Sequence, residues 1–162
     1  MKTQIWISIV CIVLVMSSCD VVEFAQTAAE DRASLIVEPT TLPASEVELE
    51  QAFHGGDTRI WQTISFSFAN IDGLQECRLD DQMTINADGT YEYDGGNTLC
   101  NGADNQRNKT GTWEITNQGK NILFNAGRQD EYLADVTGFD DDLLAISGQY
   151  MGLTIRGIFQ MK

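Results

Sequence analysis

Gln82-Met83-Thr84-Ile85-Asn86-Ala87-Asp88-Gly89-Thr90-Tyr91-Glu92-Tyr93-Asp94 is the stretch on which the fold turns. Apolar and polar side chains alternate on both sides of Ala87-Asp88-Gly89. A period of two marks a half-buried strand. Ala-Asp-Gly suits a three-residue hairpin loop whose glycine takes the left-handed conformation. That loop sets Ile85 opposite Tyr91 and Met83 opposite Tyr93. Both pairs then share one face, and a slip of one residue would scatter them.

The same signature extends outward in both directions. From Arg59, Ile60, Ile64, Phe66 and Phe68 alternate with Trp61, Thr63, Ser65 and Ser67, which predicts one long strand with a wetter face. Strands are expected at 82–86, 90–94, 110–116, 121–125, 131–137, 143–147 and 150–160. Turn residues separate them: Asp88-Gly89, Gly95-Gly96, Asn117-Gln118-Gly119, Asn125-Ala126-Gly127, Asp140-Asp141-Asp142 and Gly148. Eight antiparallel strands joined by short links suit a small up-and-down barrel, which leaves no open sheet edge. A β-sandwich is the rival arrangement. No crossover helices separate the strands, which argues against a parallel sheet.

Ahead of the strands, Ser45 offers a helix N-cap and Glu48 completes a capping box. Val47, Leu49 and Phe53 follow at roughly helical spacing, and Gly55-Gly56 ends the segment. A short helix is expected over 46–53, and the barrel domain is assigned to 45–162.

The first eighteen residues read as an export signal. Lys2 is its positive end, 5–16 is almost wholly apolar, and Ser17 and Ser18 are small residues beside a cut. The apolar run falls short of the roughly 20 residues that a spanning helix needs. Met16-Ser17-Ser18-Cys19 resembles the lipobox of bacterial lipoproteins, with Met16 where leucine is usual. The resemblance implies cleavage before Cys19 and a membrane anchor of lipid on that cysteine. An ordinary signal peptide is the competing reading. Several acyl chains would anchor firmly, since each buried CH₂ contributes about 0.8 kcal/mol. Asp20 resembles an inner-membrane retention signal of some bacteria; the expectation adopted is the outer membrane. Residues 19–44, with Pro39, Pro43, scattered acids and small residues, read as a polar tether. Within it, Leu35-Ile36-Val37 could be a short strand or a contact.

The chain has 10 Lys and Arg against 24 Asp and Glu, a net charge of −14. Loss of Lys2 with the signal makes it one unit more negative. Such a surface repels phosphate backbones and anionic lipid heads, so nucleic acid is not expected as a partner. Of four cysteines, Cys11 leaves with the signal and Cys19 takes the lipid. The remaining pair, Cys77 and Cys100, reads as a disulfide in an exported chain. The hairpin register sets Cys77 across from residue 99, so a small bulge, at Gly95-Gly96 for example, would align the two cysteines. A metal site is the alternative, but His54 is the one histidine and no CxxC occurs.

Cys77-Arg-Leu-Asp-Asp81, Ile85-Asn-Ala-Asp-Gly-Thr-Tyr91, Cys100 and Gly111-Thr-Trp113-Glu-Ile115 together resemble the lipocalin-like domain of bacterial lipoproteins. Gly55-Gly56-Asp-Thr-Arg-Ile-Trp61 is similar to that domain's opening strand. The likeness covers most of the chain after about Gly55. It implies an eight-stranded barrel with an internal cavity and says little about a ligand.

Trp61, Tyr91, Tyr93 and Trp113 are the candidate ligand-binding residues. They could line a pocket for a hydrophobic or amphipathic small molecule, or simply fill the core. Asp80-Asp81 and Asp140-Asp141-Asp142 lack the spacing of a calcium loop and read as solvated turns. His54 has no nucleophile motif beside it and reads as a surface residue at a helix end. Asn108-Lys109-Thr110 matches a glycosylation sequon, incidental in a bacterial lipoprotein. No GxSxG, HExxH or phosphate-cradling loop is present. The expectation is a binding protein, not an enzyme, with no cofactor and no metal. The alternatives are a packed accessory subunit of an envelope protein complex and, last, an unrecognised hydrolase.

Overall fold

The computed structural model describes residues 36–98, 100, 108–140 and 142–162. The expected export signal, Cys19 and most of the expected tether lie outside the described residues. Ile36 and Val37 belong to neither helix nor strand. The compact unit beyond them runs from Glu38 to Lys162.

The described residues of that unit form one α-helix, two single-turn 3-10 helices (Glu76–Arg78 and Asn117–Gly119) and nine strands. The α-helix and the strands are α1 (Glu46–His54), β1 (Thr58–Phe68), β2 (Ile71–Asp72), β3 (Gln82–Asn86), β4 (Thr90–Asp94), β5 (Asn108–Thr116), β6 (Asn121–Phe124), β7 (Tyr132–Phe139), β8 (Leu143–Tyr150) and β9 (Leu153–Met161). Each strand from β3 to β9 pairs antiparallel with the next, β1 pairs with β3, and β9 returns to β1. The result is a closed eight-stranded barrel; β2 is a two-residue addition on the end of β1.

The β3–β4 hairpin has the expected register, Met83 with Tyr93 and Ile85 with Tyr91. Gly89 is left-handed at φ 83. Ser45 caps α1 by accepting the Glu48 backbone N–H at 3.1 Å, and left-handed Gly55 closes the other end. Glu48 reaches back to the Ala44 N–H, one residue beyond the expected capping-box partner.

Three expectations need correction. In β1 the register shifts between Thr63 and Ser65. Trp61 and Thr63 share one face below this bulge, whereas above it Phe66 stands opposite Gly157 and Phe68 opposite Ile155. The bulge changes which parity faces inward, so Phe66 and Phe68 fall on the same side of the sheet as Trp61 and Thr63. The last turn lies at Met151-Gly152, both at positive φ, and not at Gly148, which sits inside β8. The barrel unit also starts before Ser45. Pro39 is buried, Thr41 accepts the Phe139 N–H at 2.7 Å, and Glu38 pairs with Arg156. Gly138 makes this possible: a Cβ there would lie 1.7 Å from the Pro39 carbonyl oxygen.

The core occupies the α1 end of the barrel. Leu49 and Phe53 project from the helix onto Trp61, Ile85, Trp113 and Ile122, all buried. The Phe53 ring meets Trp113 edge-on at 5.0 Å and Phe124 at 6.3 Å. The helix therefore acts as a plug that turns one open end of the sheet into a sealed apolar floor.

Candidate functional site

Above the plug the barrel holds an open-mouthed cavity of about 370 Å³. Met83, Tyr91, Phe124, Tyr132, Ile146 and Phe159 form its apolar wall. The space comes from glycines. Gly111, Gly148 and Gly157 lie in strand interiors, where glycine often marks a close approach. A Cβ on Gly111 would lie 2.5 Å from the Tyr91 ring, one on Gly148 2.2 Å from the Tyr132 hydroxyl, and one on Gly157 2.8 Å from the Phe159 ring. Each aromatic side chain thus occupies space that a β-carbon would take. The rings line the barrel wall, and the centre stays open.

Polar groups gather at the end away from α1. Asp81, immediately before β3, accepts a short hydrogen bond from the Tyr93 hydroxyl. The Arg78 guanidinium donates to the Asp81 carboxylate at 3.3 Å and to Tyr93 Oη at 3.1 Å. Burial raises the Tyr93 phenol to about 12, helped by the Asp81 carboxylate that accepts its proton. The Lys109 ammonium lies 5.9 Å from the centre of the Tyr93 ring across the β4–β5 ladder. On the other side, Asn125 Nδ2 donates to Tyr91 Oη and to Asp130, both at 3.0 Å, while Asn125 Oδ1 accepts the Thr112 N–H. Burial also raises Tyr132, with Asp135 adding to the effect.

The four aromatic candidates separate into two layers. Tyr91 and Tyr93 line the cavity. Trp61 and Trp113 belong to the floor beneath it, 1% and 7% exposed. Their indole N–H groups are already used: Trp61 donates to the Phe53 carbonyl at 2.9 Å, and Trp113 to the carbonyls of Asn86 and Thr90 at 3.1 and 3.0 Å. Phe124, Tyr132 and Phe159 were missed as wall residues. Glycine inside an expected strand, such as Gly157 two residues before Phe159, was the available signal.

Cys77 and Cys100 are bonded, with Cα atoms 5.0 Å apart. Asp80 closes the same crossing by accepting the N–H groups of Asn97 and Thr98, and the Asn97 bond leads in holding its carboxyl below the usual range. Asp140 accepts the N–H groups of Asp142 and Leu143, a local turn; Asp141 lies outside the described residues. His54 is half-buried against Trp113, and its Nδ1 accepts the Gly56 N–H at 3.0 Å. Among the described residues no three His, Cys, Asp or Glu side chains gather as a metal site would require.

A second recess of about 630 Å³ lies at the α1 end, between 42–46 and 117–121. It is larger, but turns and polar loop groups form most of its wall. The smaller, apolar-walled barrel cavity is the better candidate. Compared with protein-family models, curated proteins and solved structures, the chain matches none.

Proposed function

We propose that this protein is a lipid-anchored envelope lipoprotein, related to lipocalin-like domains, whose barrel binds a small hydrophobic or amphipathic molecule. The cavity carries the reading: about 370 Å³ of apolar-walled space with polar groups confined to one end. That volume and that division of chemistry are typical of small-molecule sites, where the wall supplies affinity and a few polar groups orient the ligand. Binding of this kind requires no bond-making, and the protein is read as a carrier or sensor, not an enzyme. The apolar leader and Cys19 support export and lipid anchoring, with the outer membrane as the expected location.

One observation favours a second reading, an accessory subunit of an envelope complex. Ile71 and Met151 are 72% and 86% exposed, with Tyr150 and Leu153 beside Met151 also exposed. They extend from the β1–β9 end of the barrel, where a protein partner would cover them.

Native mass spectrometry of the whole protein, extracted in detergent from its own host, tests the proposal. Acyl chains on Cys19 and a co-purifying small molecule are the expected masses. An unacylated chain that carries no adduct and leaves an added fluorescent naphthalene probe unbound would overturn it.

A further inference from the structure

We infer that the ligand is a neutral molecule with an apolar body and one hydroxyl or amide N–H, which it donates to the Asp81 carboxylate. This rests on the cavity reading above and names the chemistry the cavity selects.

Asp81 lines the cavity with only 4% of its side chain exposed. Its Oδ2 is supplied by the Tyr93 hydroxyl and the Arg78 guanidinium. Its Oδ1 is shielded from solvent and has no hydrogen-bond partner among the described residues. Buried carboxylate oxygens ordinarily accept at least one donor, and leaving one without is unfavourable. A carboxylate only accepts, so the group it lacks must be a donor. Torsion about Cβ–Cγ is soft, and a modest turn would present the unpaired oxygen to a donor in the cavity. An apolar body held against Met83, Phe124 and Phe159 would deliver that donor and exclude competing water.

The charges around the site argue for a neutral ligand. Asp81 is already paired with Arg78, and Asp130 with Arg128 at 3.2 Å. An ammonium group would therefore find both carboxylates of the wall compensated. An anion would meet the unpaired Asp81 oxygen in a chain of net charge −14.

The test uses the full chain and three probes of one size: 2-naphthol, 2-methoxynaphthalene and 2-naphthoate. Affinities come from quenching of naphthalene fluorescence or from calorimetry. Wild type is expected to bind the naphthol about ten-fold tighter than the methoxy compound, the worth of one hydrogen bond to a charged acceptor. Asp81→Leu is expected to bring the two together. Asp81→Asn, which keeps the shape and a weaker acceptor, should reduce the preference to about three-fold. Equal binding of naphthol and methoxynaphthalene by wild type would overturn the donor inference and leave the binding cavity standing. So would tightest binding of the naphthoate, which would point to Lys109 instead. A preference that survives unchanged in either variant would remove Asp81 from the site, and Asp81→Asn decides alone if Asp81→Leu does not fold. Binding of none of the probes would overturn the cavity reading itself.

Discussion

Replacing Cys77 and Cys100 together by serine is expected to lower the melting temperature by about 10–15 °C without changing the folded barrel. The bond links residues 23 apart. In the chain-entropy treatment a loop of that size restricts the unfolded chain by about 3 kcal/mol. The folded loop does not depend on the bond alone. Asp80 holds the Asn97 and Thr98 N–H groups at 2.8 and 3.1 Å, and Gln82 pairs with Asp94 just beyond. The loss therefore falls on the unfolded side of the equilibrium. For a unit of about 125 residues, unfolding entropy near 2.1 cal/mol/K per residue converts 3 kcal/mol into roughly that shift. A domain of ordinary stability, about 5–15 kcal/mol, remains folded at 25 °C after such a loss. Thermal melts followed by far-ultraviolet circular dichroism, on oxidised protein and on the double variant, are the assay. Urea titration should give a lower midpoint and a slightly larger slope, because the uncrosslinked chain exposes more surface. A shift below about 3 °C would refute the argument, since the chain would then gain little freedom from the open crosslink.

Phe53→Ala should destabilise the barrel by about 3–5 kcal/mol, because it removes a buried ring that touches Trp61, Trp113 and Phe124 at once; chemical denaturation measures it, and a loss below 1 kcal/mol would show that the floor stands without its plug. Gly111→Ala should cost about 1–3 kcal/mol and weaken probe binding, since the new methyl would lie 2.2 Å from Asn125 Oδ1 and 2.5 Å from the Tyr91 ring; unchanged stability and binding would mean that both side chains move aside freely. In alkali, the unfolded chain releases the Tyr93 proton near pH 10, while the folded chain holds it to about 12. Stability is therefore full below pH 10 and falls as the pH rises toward 12. Tyr93→Phe should flatten that fall, and an identical alkaline profile in denaturation midpoints would contradict the assignment.

Most strands are legible in the sequence because neighbouring strands are joined by short turns with their own chemistry. Asp88-Gly89 defined both a loop and a ladder, and the observed register followed. The helix was equally accessible, since Ser45, Glu48 and Gly55-Gly56 act on the backbone within a turn of themselves. Where the reading erred, the signal was local and the cause was not. Gly148 resembled a turn residue because nothing near it in the chain reveals that the Tyr132 hydroxyl occupies the place of its side chain.

Alternation of side chains determined that this chain is β, where most of its strands lie and which residues share a face within a hairpin. Those properties depend on neighbours a few residues apart. Depth along the barrel axis depended on the tertiary structure alone. Trp61 and Trp113 are aromatic like Tyr91 and Tyr93, and each lies on an inward face, yet α1 seals over the tryptophans and leaves the tyrosines beside open space. The β1 bulge and the closure of β9 onto β1 likewise arise from contacts that form once the sheet has curled on itself. A strand's sequence records which way each side chain points, whereas what stands opposite it across a barrel is decided by strand tilt, by closure and by what plugs the end.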